Sequence, residues 1–123
     1  MILVDTSVWI DHLRAGDARL TALLERNRVI MHPMVAGELA CGNLRDRDTL
    51  LRLWDSLPRL PTASHDEALY FLTSNRLWGL GIGYEDLHLL AAVSLGDAVA
   101  LWTRDKRLSA VAGQLGLAAQ ADA

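Results

Sequence analysis

Cysteine is almost absent: Cys41 stands alone, so no internal disulfide forms and neither a disulfide scaffold nor a cysteine zinc knuckle is available. Proline occurs only at 33, 58 and 61. No run reaches the roughly 18 apolar residues that cross a bilayer. The opening Met1-Ile2-Leu3-Val4-Asp5 lacks both a basic region and a long apolar stretch, which argues against a secretory signal. Lysine is confined to Lys106; the other eleven basic residues are arginine, the better fork for phosphate. Glutamate is outnumbered by aspartate four to eleven. Asp is a poor helix former that prefers caps, turns and metal sites, so its placement says more than the net charge of −3. What remains, 123 residues with 51% apolar and 22% charged, is the composition of one globular domain, expected to be soluble and cytoplasmic.

Along the chain, short apolar runs alternate with longer helical patterns. Strands are expected near residues 2–5, 28–32, 59–62 and 98–102. The third is short, because Pro58 and Pro61 bracket Arg59-Leu60. Helices are expected from Thr6-Ser7 to about 13, over 18–27 behind Asp17, and over 33–44 with Pro33 in the first turn. Further helices follow from Asp46 or Asp48 to 56, from the capping box Ser64-His65-Asp66-Glu67 to about 78, over 84–95, and from Asp105 to about 116. Residues 117–123 form either an edge strand or a frayed end. No repeat or linker divides the chain, so the expectation is a single α/β domain, three layers deep, around a mostly parallel sheet.

Ligands of open α/β sheets collect beyond the carboxyl ends of the strands. Asp5 ends the first strand, Asp105 lies just past the last, and Asp86 falls in the first turn of the helix after Gly79-x-Gly81-x-Gly83. Each also has a plainer role: N-cap, turn residue and helix-dipole partner respectively. Glu38 shares a helical stripe with Met34, Val35, Cys41 and Gly42, where a carboxylate needs compensation by Arg45, by a distant Arg, or by a cation. Gly37 beside it permits close backbone approach. Four clustered acids would suit a hard divalent cation with oxygen ligands.

Val4-Asp5-Thr6-Ser7-Val8-Trp9-Ile10 resembles the opening of PIN-domain ribonucleases, especially the small VapC-type toxins of bacterial toxin–antitoxin pairs. Gly37-Glu38-Leu39-Ala40-Cys41-Gly42 resembles their second acidic motif. The segment Gly81 to Ala92, with Glu85-Asp86, is similar to the third, and Leu101-Trp102-Thr103-Arg104-Asp105-Lys106-Arg107-Leu108 to the fourth. The four stand in family order from Met1 to about Leu117. The resemblance implies a single PIN-like domain over 1–123 and a quartet of Asp5, Glu38, Asp86 and Asp105 holding one or two Mg²⁺ or Mn²⁺ ions. Glu38 would act directly or through water. Thr6, Ser7 and Thr103 would support the carboxylates or the attacking water, and Arg104, Lys106 and Arg107 would take adjacent phosphates. The implied activity is endoribonucleolytic hydrolysis of tRNA or rRNA, leaving a 5′-phosphate and a 3′-hydroxyl and halting translation.

The implied partners are an RNA substrate, a VapB-type antitoxin whose tail lies in a groove near the acids, and a second copy in a homodimer. Trp9, Leu13 and the helix carrying Leu50, Leu53 and Trp54 are candidates for the antitoxin contact, equally readable as core. The last motif carries a single Asp where some members have an acidic pair, which leaves the metal number at one or two. Glu85 is expected to face solvent, and Cys41 to fill a small buried space. His12, His32, His65 and His88 have no paired spacing for zinc. Two other classes compete. A phospho-receiver domain needs an acidic pair after the first strand, where Asp5 stands alone; a non-catalytic RNA- or partner-binding relative gains nothing from acids facing phosphates. Without the quartet the net charge moves from −3 to +1, so the acidic balance does not exclude nucleic acid.

Overall fold

Ile2–Val4 (β1) is apolar throughout, as befits a strand covered on both faces, and it forms the centre of the sheet. In the computed structural model, which describes residues 1–120, β1 pairs in parallel with Val29–Ile30 (β2) on one side and Ala100–Trp102 (β3) on the other. Ile2 lies opposite both Val29 and Ala100, giving the order β2-β1-β3. One parallel bridge extends each edge, Met31 to Arg59 and Leu101 to Ala118. The strand expected over 59–62 is thus a single bridge, because the flanking prolines carry no N–H for a longer ladder. The final segment forms one bridge at Ala118; positions 121–123 of that expectation lie outside the described residues.

Seven helices connect these strands among the described residues: α1 (Thr6–Ala15), α2 (Ala18–Glu25), α3 (Pro33–Ala40), α4 (Arg47–Ser56), α5 (His65–Ser74), α6 (Tyr84–Leu95) and α7 (Lys106–Gln114). The path runs from β1 out to β2, then back across β1 to β3. Because crossovers between parallel strands are as a rule right-handed, connections that run in opposite directions place helices on opposite faces of the sheet. Local caps set several starts. Asp17 accepts the Leu20 N–H at 2.9 Å, and Ser64 and Glu67 form the reciprocal box. His32 caps α3, its Nδ1 accepting the Met34 N–H at 3.0 Å.

Two helices stop short of the expected ends. α3 ends at Ala40 rather than 44, where Arg47 Nη1 donates to the Ala40 carbonyl at 2.7 Å and Asp46 turns left-handed (φ 51°) before α4. α5 ends at Ser74 rather than near 78, because Arg76 adopts φ 54° and the Leu77 N–H returns to the Leu72 carbonyl, sending Leu77 into the core. Helix α6 is buried over Leu87 to Val93 without a break, which identifies it as the central helix, packed on α5 and on β3. Trp9 and Trp54 are fully buried and meet edge to face at 5.9 Å, so both are core residues. Cys41, by contrast, is exposed rather than a buried filler, and a side chain at Gly37 would meet nothing within 4 Å, so no close approach depends on that glycine. No helix among the described residues is long and apolar enough to cross a membrane.

Candidate active site

Asp5 follows the last residue of β1 and occupies the N-cap position of α1, yet its side chain caps nothing. Its Oδ2 instead accepts two hydroxyl hydrogen bonds, from Ser7 Oγ at 2.8 Å and from Thr103 Oγ1 at 2.7 Å. Each hydroxyl is aimed by a backbone N–H: Arg104 N donates to Ser7 Oγ at 3.0 Å, and Asp105 N to Thr103 Oγ1 at 3.1 Å. Both hydroxyl protons therefore point at one oxygen of a buried carboxylate, which fixes the orientation of Asp5 and leaves Oδ1 for another ligand. The plain N-cap role of Asp5 is excluded by this arrangement.

Asp105 does cap, accepting the Leu108 N–H at 2.9 Å through Oδ1. Asp86 Oδ2 accepts the Gly83 N–H at 3.1 Å across the first turn of α6. Asp86 is half-buried, and burial is the main force holding its pKa above the ordinary range; Asp5, Asp105 and Glu85 add repulsion, against the Gly83 hydrogen bond. Glu38 reaches the same place from α3. The approach of the Glu85 carboxyl, with desolvation and repulsion from Glu85, Asp5 and Asp86, pushes the pKa of Glu38 up to about 7. Asp5, Glu38, Asp86 and Asp105 are thus electrostatic neighbours, brought together from four separate segments of the chain.

Glu85 belongs to this cluster as well. It is exposed, as expected, but it also faces Glu38; only the tertiary approach of α3 to α6 reveals that. None of these five acids has an ion-pair partner among the described residues, so Arg45 does not compensate Glu38. Thr6 does not join Ser7 and Thr103: its buried Oγ1 has no hydrogen-bond partner among the described residues and lines a groove beside Glu38. That groove, about 550 Å³, runs between α1, α3 and the start of α4, with Ile10, Leu13, Leu39 and Leu50 as apolar wall and Arg14 and Arg45 as cations.

The three basic residues of the last motif differ in their surroundings. The Arg104 guanidinium is held by Asp11 and Asp17. Lys106 and Arg107 are exposed in the first turn of α7. Arg107 crosses over Gly81, where a Cβ would stand 2.5 Å from its Cδ.

The profile of the PIN domain matches residues 2–114, a span containing all four acids. The chain belongs to the PIN-domain family. Ribonuclease VapC32 of Mycobacterium tuberculosis strain CDC 1551 / Oshkosh is 50% identical over 118 residues, covering 96% of this chain and 95% of that protein. The protein of the same name from strain ATCC 25618 / H37Rv matches to the same extent. For a PIN domain the donor set has the right chemistry for a hard divalent cation: oxygen ligands only, like-charged and uncompensated by arginine or lysine. Among the described residues no three acidic, histidine or cysteine side chains converge on one metal position.

Proposed function

We propose that this PIN-domain protein is a Mg²⁺- or Mn²⁺-dependent endoribonuclease and the toxin of a toxin–antitoxin pair, cutting tRNA or rRNA and so stopping translation. The observation that carries this reading is the seating of Asp5. A carboxylate at an N-cap that ignores its own helix, is oriented by two hydroxyls and keeps one oxygen free is built to hold something outside the protein. Asp5, Asp86 and Asp105 are the proposed ligands of one or two ions, with Glu38 acting directly or through water. When bound, such an ion lowers the pKa of water and neutralises charge developing on the phosphate.

The chain's own residues supply the rest. Ser7 and Thr103 keep Asp5 in its working orientation. Lys106 and Arg107 are the phosphate contacts, because both are exposed beside Asp105 whereas Arg104 is already committed to two carboxylates. The groove lined by Ile10, Leu13, Leu39, Leu50, Arg14 and Arg45 adjoins Glu38 and is the proposed seat of the antitoxin tail. Leu13 and Leu50 remain candidates there, whereas Trp9 and Trp54 belong to the core. A cytoplasmic homodimer completes the proposal. Family membership leaves the phospho-receiver alternative without support, and the complete acidic quartet disfavours a purely binding role.

The test uses purified protein freed of antitoxin, incubated with total tRNA and rRNA. Discrete fragments are expected with Mg²⁺ or Mn²⁺ and none with EDTA or in Asp5→Asn. Full cleavage in both Asp5→Asn and Asp86→Asn would overturn the reading.

A further inference from the structure

Arg104 is held by two carboxylates at once. Its Nη1 donates to Asp11 Oδ2 at 2.7 Å on α1, and its Nη2 to Asp17 Oδ2 in the turn before α2. Asp17 is itself fixed, since its other oxygen caps α2 and its backbone N–H donates to His12 Nδ1 at 3.0 Å. The guanidinium also lies 5.6 Å from the centre of the Trp102 ring, the last residue of β3, and Arg19 stands over the same ring at 4.3 Å. The side chain of Arg104 therefore ties the loop after β3 to α1 and to the α1–α2 turn, segments almost a hundred residues away in sequence.

The backbone of the same residue enters the site. Its N–H donates to Ser7 Oγ, which donates to Asp5 Oδ2, and the neighbouring peptide aims Thr103 Oγ1 at the same oxygen. We propose that Arg104 is a positioning residue: its two-carboxylate clamp fixes the 103–105 loop so that the peptide N–H groups of residues 104 and 105 orient the two hydroxyls that hold Asp5. The inference rests on the ribonuclease reading above for its functional consequence, but not for its structural one. A planar fork satisfies Asp11 and Asp17 together, whereas a lysine ammonium at the end of a flexible stem does not reproduce that geometry.

The experiment compares Arg104→Ala, Arg104→Lys, Asp17→Asn and the double variant Arg104→Ala/Asp17→Asn in the full chain. In metal-free protein without RNA, amide hydrogen exchange at residues 104 and 105 is expected to accelerate in Arg104→Ala and in Arg104→Lys. Mn²⁺ affinity, read by electron paramagnetic resonance, is expected to weaken about 10–100-fold, as for other groups that orient ligands indirectly. In RNA cleavage, kcat falls while KM stays near wild type, lysine does not rescue, and the double variant is no worse than Arg104→Ala. If Arg104→Ala does not fold, Arg104→Lys carries the same comparison.

Wild-type exchange at both amides, or wild-type Mn²⁺ affinity, overturns the proposal. So does the pattern of a direct phosphate contact: raised KM at constant kcat, rescue by lysine, and a salt slope of binding smaller by about one. A wild-type protein that cuts no RNA with either metal would refute the ribonuclease reading while the exchange and Mn²⁺ measurements still decide the clamp.

Discussion

Thr103 and Ser7 contribute no charge to the site, yet the orientation of the Asp5 carboxylate depends on them. Each donates to Oδ2 and accepts from a peptide N–H, so removing either hydroxyl leaves a backbone donor without its acceptor and frees the carboxylate to rotate. Thr103→Val keeps the shape of the side chain and is expected to lower RNA cleavage about 10–100-fold with an unchanged melting temperature to within a few degrees. Activity equal to wild type would contradict the role assigned to this hydroxyl. Gly81 presents a different kind of constraint. Its φ of 83° disfavours a side chain, and an added Cβ would collide with Arg107. Gly81→Ala is expected to cost roughly 1–2 kcal/mol in urea unfolding and to displace Arg107, raising KM for RNA. A neutral effect on both would remove Arg107 from the substrate path.

Elements were legible from the sequence where their signals are local. The cap at Asp17, the box from Ser64 to Glu67 and the proline opening α3 all lie within four residues of the turn they start. The ends of α3 and α5 were not legible, because non-glycine residues in left-handed conformations and a side chain from the next helix set them. The same division holds in the site. Asp5 and Asp105 could be read from their places at strand ends, and Asp86 and Glu38 from the motifs around them. The contact of Glu38 with Glu85, the seat of Ser7 against Thr103 and the clamp on Arg104 join residues 47 to 96 positions apart, for which the sequence holds no local sign.

The cap of α3 also carries a pH dependence. His32 is fully buried, and desolvation, with repulsion from His88, lowers its pKa from 6.5 to about 4. Its Nδ1 accepts from Met34, which requires an unprotonated nitrogen there. Between those two values the unfolded chain binds the proton and the folded protein does not, so stability rises with pH through this window. The contribution is complete above about pH 6.5 and is lost as pH falls toward 4; His32 alone accounts for roughly 3 kcal/mol over the full window. Urea unfolding at pH 7 and pH 4.5 checks this. His32→Asn, which can still cap, is expected to flatten the difference, and an equally steep fall in that variant would contradict the assignment.

At the scale of the molecule, one core supports every part of the site. β1 ends in Asp5, β3 leads to Thr103 and Asp105, and α6 presents Asp86 while burying seven successive residues. Trp9 and Trp54 fasten α1 to α4 on the side where the groove opens. Trp54→Ala is expected to cost about 3–5 kcal/mol, a large share of the stability typical of such a domain, and thermal melting measures it directly; a loss under about 1 kcal/mol would show that the cavity collapses freely. The net charge of −3 belongs to the same picture, since four of its acids are electrostatic neighbours and a bound cation would offset them.

The central claim, that these acids hold a metal that activates water against RNA, is tested most directly by the ends of the cleaved strands. Water attack assisted by metal leaves a 5′-phosphate and a 3′-hydroxyl, whereas attack by the neighbouring 2′-hydroxyl leaves a 2′,3′-cyclic phosphate and a 5′-hydroxyl. The account predicts 5′-phosphate and 3′-hydroxyl ends on every fragment made with Mn²⁺ or Mg²⁺. Fragments ending in 2′,3′-cyclic phosphate would contradict it.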